Sequence, residues 1–337
     1  MIHKDLPFID LHRHLDGSIR LETIIDLGRK HNLPLPSFEI EELRPHVQVV
    51  EPQPGVMAFI SKFKWMVGVL ADFDACRRVA YENVLDAEAE GLDYVELRFS
   101  PMFMAEPHQL EPASVVAAVA EGVQEGCVES KIKANLIGII SRTYGPETGM
   151  AELEALLSQK GKITALDLAG DEANFPAHLF ERHFARGRDA GWQITVHAGE
   201  AAGAESVWEA IDLLGATRIG HAVRIEEDPE LKEALKARGI GIEANLTSNF
   251  QTSTVDSLID HPLKRWLDEG LLATINTDDP GISNIDLPFE FDVAAPQAGL
   301  TAADTRKAQE NALAIAFLSE KEKAALKAAR FGKGGGF

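Results

Sequence analysis

The stretch FIDLHRHLDGS, residues 8–18, opens on a short apolar run, Phe8–Leu11, and passes straight into His12, Arg13, His14, Asp16, Gly17 and Ser18. The same grammar, a brief β-type run ending in polar residues and followed by a helical pattern, recurs down the chain. The runs are Phe8–Leu11, Leu92–Phe99, Lys133–Ile140, Ile163–Leu168, Gln193–Val196, Thr217–Ile219, Gly239–Glu243 and Leu272–Ile275. Amphipathic patterns follow most of them, over Ala113–Val128, Ala151–Gln159, Ala177–Asp189, Ser206–Leu214 and Glu230–Arg238. Strands alternating with helices imply parallel pairing through right-handed crossovers. Eight such units close a (β/α)8 TIM-type barrel, the fold class expected here.

Two regions exceed the repeat. About residues 20–90 form a helical insertion between the first and second strands, with patterns over Leu21–His31, Val56–Val69 and Phe73–Glu88, where lids commonly sit. The stretch Ala302–Ala329 reads as two extra C-terminal helices, with a Gly-rich frayed end over Gly332–Phe337. No composition shift or Pro/Ser linker divides the chain, so residues 1–337 read as one domain.

Composition narrows the partners. The net charge is −20, spread along the chain, and repels phosphate backbones, so no nucleic acid is expected as a partner. The His-x-Glu and Pro-Cys-x-x-Cys signature of zinc enzymes that act on bases in nucleic acids is absent. No run of 18 apolar residues exists, so no membrane span is expected. The two cysteines, Cys76 and Cys127, form neither a disulfide framework nor a CxxC zinc pair. With no signal-peptide pattern at Met1–Leu6, the expected location is a reducing cytoplasm.

The C-terminal ends of barrel strands share one face, so residues far apart in sequence meet there. Those ends carry His12 and His14, Glu96–Pro101, Ala169–Glu172, His197–Glu200, Gly220-His221, Asn245–Asn249 and Asn276–Pro280. His12 and His14, two apart on extended chain, point the same way. A His-x-His pair alone is a weak signal, since surface histidines are common. Joined by His197 and Asp278 at matching strand ends, it becomes a metal site by residue type. Nitrogen and oxygen ligands without thiolate suit zinc, Zn2+, best. Two-metal barrel hydrolases place a bridging lysine at the fourth strand end; Gly170-Asp171-Glu172 stands there, which favours one metal per chain.

From Phe8 to about residue 325 the chain resembles the adenosine deaminase family, most of all its bacterial branch. The match rests on HRHLDG at 12–17, VELRFSP at 95–101, DLAGDE at 167–172, VHAGE at 196–200, RIGH at 218–221 and NTDDP at 276–280. The resemblance implies one catalytic zinc held by His12, His14, His197 and Asp278. It implies that Glu200 protonates ring nitrogen 1 of the purine, that His221 holds and helps deprotonate the attacking water, and that Asp278 accepts from it. Asp279 would bond ring nitrogen 7, the Gly170 N–H ring nitrogen 3, and His14 with Asp16 the ribose 5′ hydroxyl. The helix matching Val56–Val69 gates an apolar pocket in the family, which makes Phe59, Ile60 and Phe63 candidate lid residues. Glu96, Arg98 and Ser100 read as mainly structural. Asp16 and Asp279 could each instead cap a helix.

Ala222, where glycine is frequent in the family, and Asn245, where cysteine is frequent, are departures expected to touch fine substrate preference only. The expected reaction is hydrolytic deamination of adenosine and 2′-deoxyadenosine, with a small purine nucleoside as partner; the sequence leaves the oligomeric state open. Other adenine compounds (adenine itself, a modified adenosine, an aminofutalosine) are the nearest alternatives. Adenine-specific relatives tend to carry glutamate where Asp16 stands. A non-catalytic nucleoside binder would have lost a ligand or the acid, and all are present.

Overall fold

A computed structural model describes residues 1–130 and 132–333. Eight strands, β1 (Ile9–His14), β2 (Tyr94–Phe99), β3 (Lys133–Ser141), β4 (Ile163–Ala169), β5 (Gln193–Ala198), β6 (Arg218–His221), β7 (Gly241–Ala244) and β8 (Leu272–Ile275), pair in that order, all parallel. The ring is drawn shut beyond the end of β8. There Arg13 and Asp278 form an isolated parallel bridge, with His14 N–H donating to the Asp278 carbonyl at 2.7 Å and Asp278 N–H to the His12 carbonyl at 2.8 Å. This is the expected (β/α)8 barrel.

Each expected strand is present, with shifted ends. β1 runs through His14, β5 through Ala198 and β6 through His221, so all four of the singled-out histidines lie on strands rather than in the loops after them. β7 begins at Gly241, because Gly239 at φ +67° closes the preceding helix Pro229–Arg238 in the left-handed region.

The insertion contains the helices Leu21–Lys30, Ile40–Val47 and Phe73–Ala89. The single helix expected over Val56–Val69 is instead Val56–Ile60, a 3-10 turn Ser61–Phe63, and Lys64–Val67. At the break the Ser61 hydroxyl bonds the Ala58 carbonyl at 2.6 Å, competing with the regular ladder. At the other end, helices Ala302–Ile315 and Glu320–Lys333 cover the base of the barrel. Helix continues through Gly332 and Lys333, where fraying was expected; the rest of that segment, 334–337, lies outside the described residues.

Apolar residues fill the space between barrel and helices, while the lower barrel interior is charged. Arg98 bonds Asp167 and Glu243, each at 2.8 Å, and Arg218 bonds Glu243 at 2.7 Å and Glu96 at 2.5 Å. Every buried charge here has an opposite partner, the condition under which such groups are tolerated. No helix among the described residues is long and apolar enough to cross a membrane.

Candidate active site

Alternation along β1 turns Asp10, His12 and His14 to the barrel interior. Their neighbours come from the ends of β4, β5, β6 and β8. The His12 Nδ1–H donates to Glu243 Oε2 at 2.7 Å, and His197 Nδ1–H donates to Asp167 at 3.1 Å. Glu243, although buried, is held well below the usual carboxylate range by Arg98 and Arg218. With a hydrogen on each Nδ1, the opposite ring nitrogens present lone pairs. His12 Nε2 has no hydrogen-bond partner and faces Asp278 Oδ1 at 3.0 Å. His14 Nε2 lies 3.1 Å from His197 Nε2 and 3.3 Å from Asp278 Oδ1.

Lone pairs and a carboxylate oxygen aimed at one another repel unless a proton or a metal cation lies among them. Four ligands at zinc–nitrogen distances of 2.0–2.1 Å stand about 3.3 Å apart in a tetrahedron, close to the spacings here of 3.0–3.3 Å. Ligand atoms of His12, His197, His221 and Asp278 also all lie within 4.8 Å of one another. Around His14, burial is outweighed by Asp279, Asp16 and Asp278, which pull its imidazole up to about 9. The site has an excess of negative charge that a cation would neutralise, and the donor set fits a divalent metal ion.

His221 has its tautomer imposed from behind. The Leu263 backbone N–H can only donate, and it donates to His261 Nδ1 at 3.1 Å. His261 therefore carries its hydrogen on Nε2 and gives it to Asn249 Oδ1 at 3.2 Å. That orients the Asn249 amide so that Nδ2 donates to His221 Nδ1 at 2.9 Å. Asn245 Nδ2 approaches the same atom at 3.3 Å. His221 is thus left with its hydrogen on Nε2, the nitrogen 3.9 Å from Asp278 Oδ2. This makes it a donor toward the reaction centre, where sequence reasoning gave it a share in taking the proton. It also corrects the expectation for Asn245, which lies against a site residue.

Both His221 (φ +65°) and Asp278 (φ +64°) hold left-handed backbone, as does Ala222 (φ +57°). Such conformations cost non-glycine residues on the order of 1–3 kcal/mol and persist where surroundings enforce them. The family's frequent glycine after the histidine follows from that geometry.

Glu200 is buried in the wall of the same cavity, with Oε1 3.5 Å from His221 Nδ1. Burial, and then the charges of Asp278, Glu172 and Asp279, push its carboxyl well above the ordinary range, favouring the protonated form. Asp278 and Asp279 diverge. His12 and His221 overcome burial and hold Asp278 low, whereas burial and Asp278 itself drive Asp279 up. The Ser248 hydroxyl donates to Asp278 Oδ2 at 2.6 Å. Asp279 precedes the short helix Pro280–Ser283 but makes no capping bond, and its Oδ1 is buried and unpartnered. Gly17 leaves room for it, since a Cβ there would overlap Asp279 Oδ1.

Asp16 does not cap the helix Leu21–Lys30, whose N-cap is Arg20. Its Oδ2 accepts the Ser100 N–H at 3.2 Å while Oδ1, buried, has no partner. Ser100 in turn donates to the buried Glu152 at 2.5 Å. Gly170, at φ +107°, lines the cavity, and a Cβ there would strike Thr143 Oγ1. Phe59, Ile60 and Phe63, with Phe103, form the apolar wall opposite the histidines.

The candidate ligand, acid–base, substrate-contact and lid residues named from the sequence all border one cavity or belong to the donor cluster beside it. Sequence reasoning missed Asp167, Glu243, Ser248, Asn249 and His261, which orient the others. An acid in the middle of a buried strand, as at Asp167 and Glu243, was the available signal.

The sequence profile described as Adenosine deaminase matches residues 7–329. An adenosine deaminase of Vibrio parahaemolyticus is 59% identical over 327 residues, covering 97% of this chain and 98% of the relative. Among solved structures, an adenine deaminase from Arthrobacter aurescens superposes with a TM-score of 0.90 at 25% identity, covering 98% of this chain and 100% of that one. An amidohydrolase from Burkhoderia ambifaria with bound Zn gives a TM-score of 0.87 at 26% identity, covering 98% and 91%. The barrel, the His/Asp cluster and the match along nearly the whole chain agree: the chain belongs to the adenosine deaminase family.

Proposed function

We propose that this protein hydrolyses adenosine and 2′-deoxyadenosine to inosine and 2′-deoxyinosine, releasing ammonia, with one Zn2+ per chain held by His12, His14, His197 and Asp278. The observation that carries the reading is a buried carboxyl, Glu200, whose surroundings favour its protonated form, lining one cavity with a His/Asp donor set. Bound zinc supplies Lewis acidity, bringing the pKa of a water from 15.7 to about 7.

The side chains divide the remaining work. Asp278, kept ionised and braced by Ser248, takes the proton of the attacking water. His221 donates from Nε2 toward the oxygen and orients it. Attack at carbon 6 of the purine pushes an electron pair onto ring nitrogen 1, where Glu200 delivers its proton as general acid. Asp279, driven toward its protonated form by burial and by Asp278, would have a hydrogen to give to ring nitrogen 7, an acceptor. The Gly170 N–H serves ring nitrogen 3, and His14 with Asp16 the ribose 5′ hydroxyl. Phe59, Ile60 and Phe63 exclude water from the purine face. Collapse of the tetrahedral carbon, with the proton held by Asp278 passed to the amino group, expels ammonia; the remaining hydroxyl proton is released as the carbonyl forms and replaces the one that Glu200 gave to ring nitrogen 1.

Free adenine is the competing substrate, as acted on by the Arthrobacter aurescens structure's protein. The much higher identity to the Vibrio parahaemolyticus relative, and an aspartate at position 16, favour the nucleoside. The test is ultraviolet loss of adenosine, adenine, AMP and N6-methyladenosine with pure protein, beside elemental analysis. Adenosine should be consumed fastest, with about one equivalent of zinc per chain. Faster turnover of adenine, or full activity with less than about a tenth of an equivalent of any transition metal, would refute the proposal.

A further inference from the structure

Glu172, just past the end of β4, is 4% exposed, and its carboxylate is bonded entirely by the segment that carries Glu200. Its Oε1 accepts the Gly199 N–H at 2.6 Å and the Ser206 hydroxyl at 2.6 Å. Its Oε2 accepts the N–H groups of Glu200 at 3.1 Å, Ala201 at 2.6 Å and Ala202 at 3.0 Å. A carboxylate has about four lone-pair sites, so five donors saturate it. Four consecutive N–H groups curled around one point make the kind of concavity that usually holds a bound anion; here it holds the chain's own side chain. Gly199 at φ +71° allows the curl.

We infer that Glu172 is a positioning residue for the reaction, acting through Glu200 by locking the backbone from which that side chain reaches the substrate. The inference rests on the reading of Glu200 as the proton donor. The pin falls on Glu200's own N–H and on those either side of it, so it fixes where the carboxyl emerges. Three residues before Glu200, Arg142 Nη2 donates to the His197 carbonyl at 2.6 Å, holding the other end of the turn. Further bonds tether the loop independently of Glu172, including Arg224 N–H to the Gly199 carbonyl at 2.8 Å and Ala222 N–H to the Ala198 carbonyl at 3.1 Å. Loss of Glu172 therefore loosens the acid without releasing the strand. Misplacing a catalytic group by about 1 Å costs roughly a hundredfold in rate.

The experiment is a double-mutant cycle on the zinc-loaded protein, with Glu172→Gln, Glu200→Gln and the pair. Glu172→Gln should lower kcat on adenosine roughly ten- to a hundredfold with KM changed less than about threefold and metal content normal. In the Glu200→Gln background, where no proton can be delivered, the same change should cost less than about threefold. Hydrogen exchange at 199–202 should quicken. An equal loss in both backgrounds, wild-type turnover in Glu172→Gln, or unchanged exchange would overturn the inference while leaving Glu200's role intact. Wild-type turnover in Glu200→Gln would overturn that role itself, and this inference with it. If Glu172→Gln does not fold, Glu172→Asp, which keeps the charge but shortens the reach, takes its place in the cycle with the same criteria.

Discussion

Asp16 and Asp279 each bring an unpartnered buried oxygen to the cavity, and a buried polar atom left without a partner costs about 1–3 kcal/mol. In the proposed function the group that completes Asp16 is the ribose hydroxyl. A hydrogen bond to a charged acceptor contributes roughly 1.5–3 kcal/mol, so Asp16→Ala should lower kcat/KM on adenosine by about ten- to a hundredfold. On 5′-deoxyadenosine, which lacks the hydroxyl, the loss should be far smaller. Measuring both enzymes on both substrates isolates the pair; equal losses would make Asp16 structural. At this scale residue type and strand-end position nominated the metal-site candidates His12, His14, His197 and Asp278, and the resemblance to the family nominated the rest. Their supports were not legible. Asn249 matters through its bond to His221 and His261 through its bond to Asn249, and neither relation leaves a mark on spacing.

Elements behave as their caps and breaks dictate. The helix Ala302–Ile315, against β8 and β1, opens with a capping box: Asp304 N–H donates to Thr301 Oγ1 at 3.3 Å and Thr301 N–H to Asp304 Oδ2 at 2.8 Å. Thr301→Ala should destabilise the protein by about 1 kcal/mol, a fall of roughly 1–3 °C in Tm, with kcat unchanged, as scanning calorimetry and a standard assay would report. No change in Tm would mean that the helix is held by packing alone. The pattern Val56–Val69 shows where local reading stops. Its apolar spacing was helical, but the structure divides it into three short pieces, with the Ser61 hydroxyl bonded to the Ala58 carbonyl at the break, and Phe59 and Phe63 still reach the cavity.

For the whole molecule, the cost of burying acid sets the response to pH. Glu290, fully enclosed and without a cationic partner among its bonds, is pushed up to about 8 by burial, against the pull of the Thr247 N–H. In the unfolded chain it titrates near 4.5. Between those values the unfolded chain gives up a proton that the folded protein keeps, so stability falls as pH rises through the window and levels off above it. Glu290→Gln, which has no proton to lose, should raise Tm at about pH 9 and leave it nearly unchanged at about pH 4; equal effects at both would show that Glu290 does not titrate there. The sequence by itself determined the barrel, through eight repeats of one period, and the chemistry of its mouth, through residue types at strand ends. Those are local facts, set by side-chain alternation and by the shared direction of parallel strands. Only the tertiary structure decided which nitrogen of His221 carries hydrogen, which of two adjacent aspartates stays ionised, and which carboxylate holds the Glu200 loop. Each depends on groups tens to hundreds of residues apart meeting in a medium where water is absent, so that charge and hydrogen-bond direction are set by neighbours rather than by solvent.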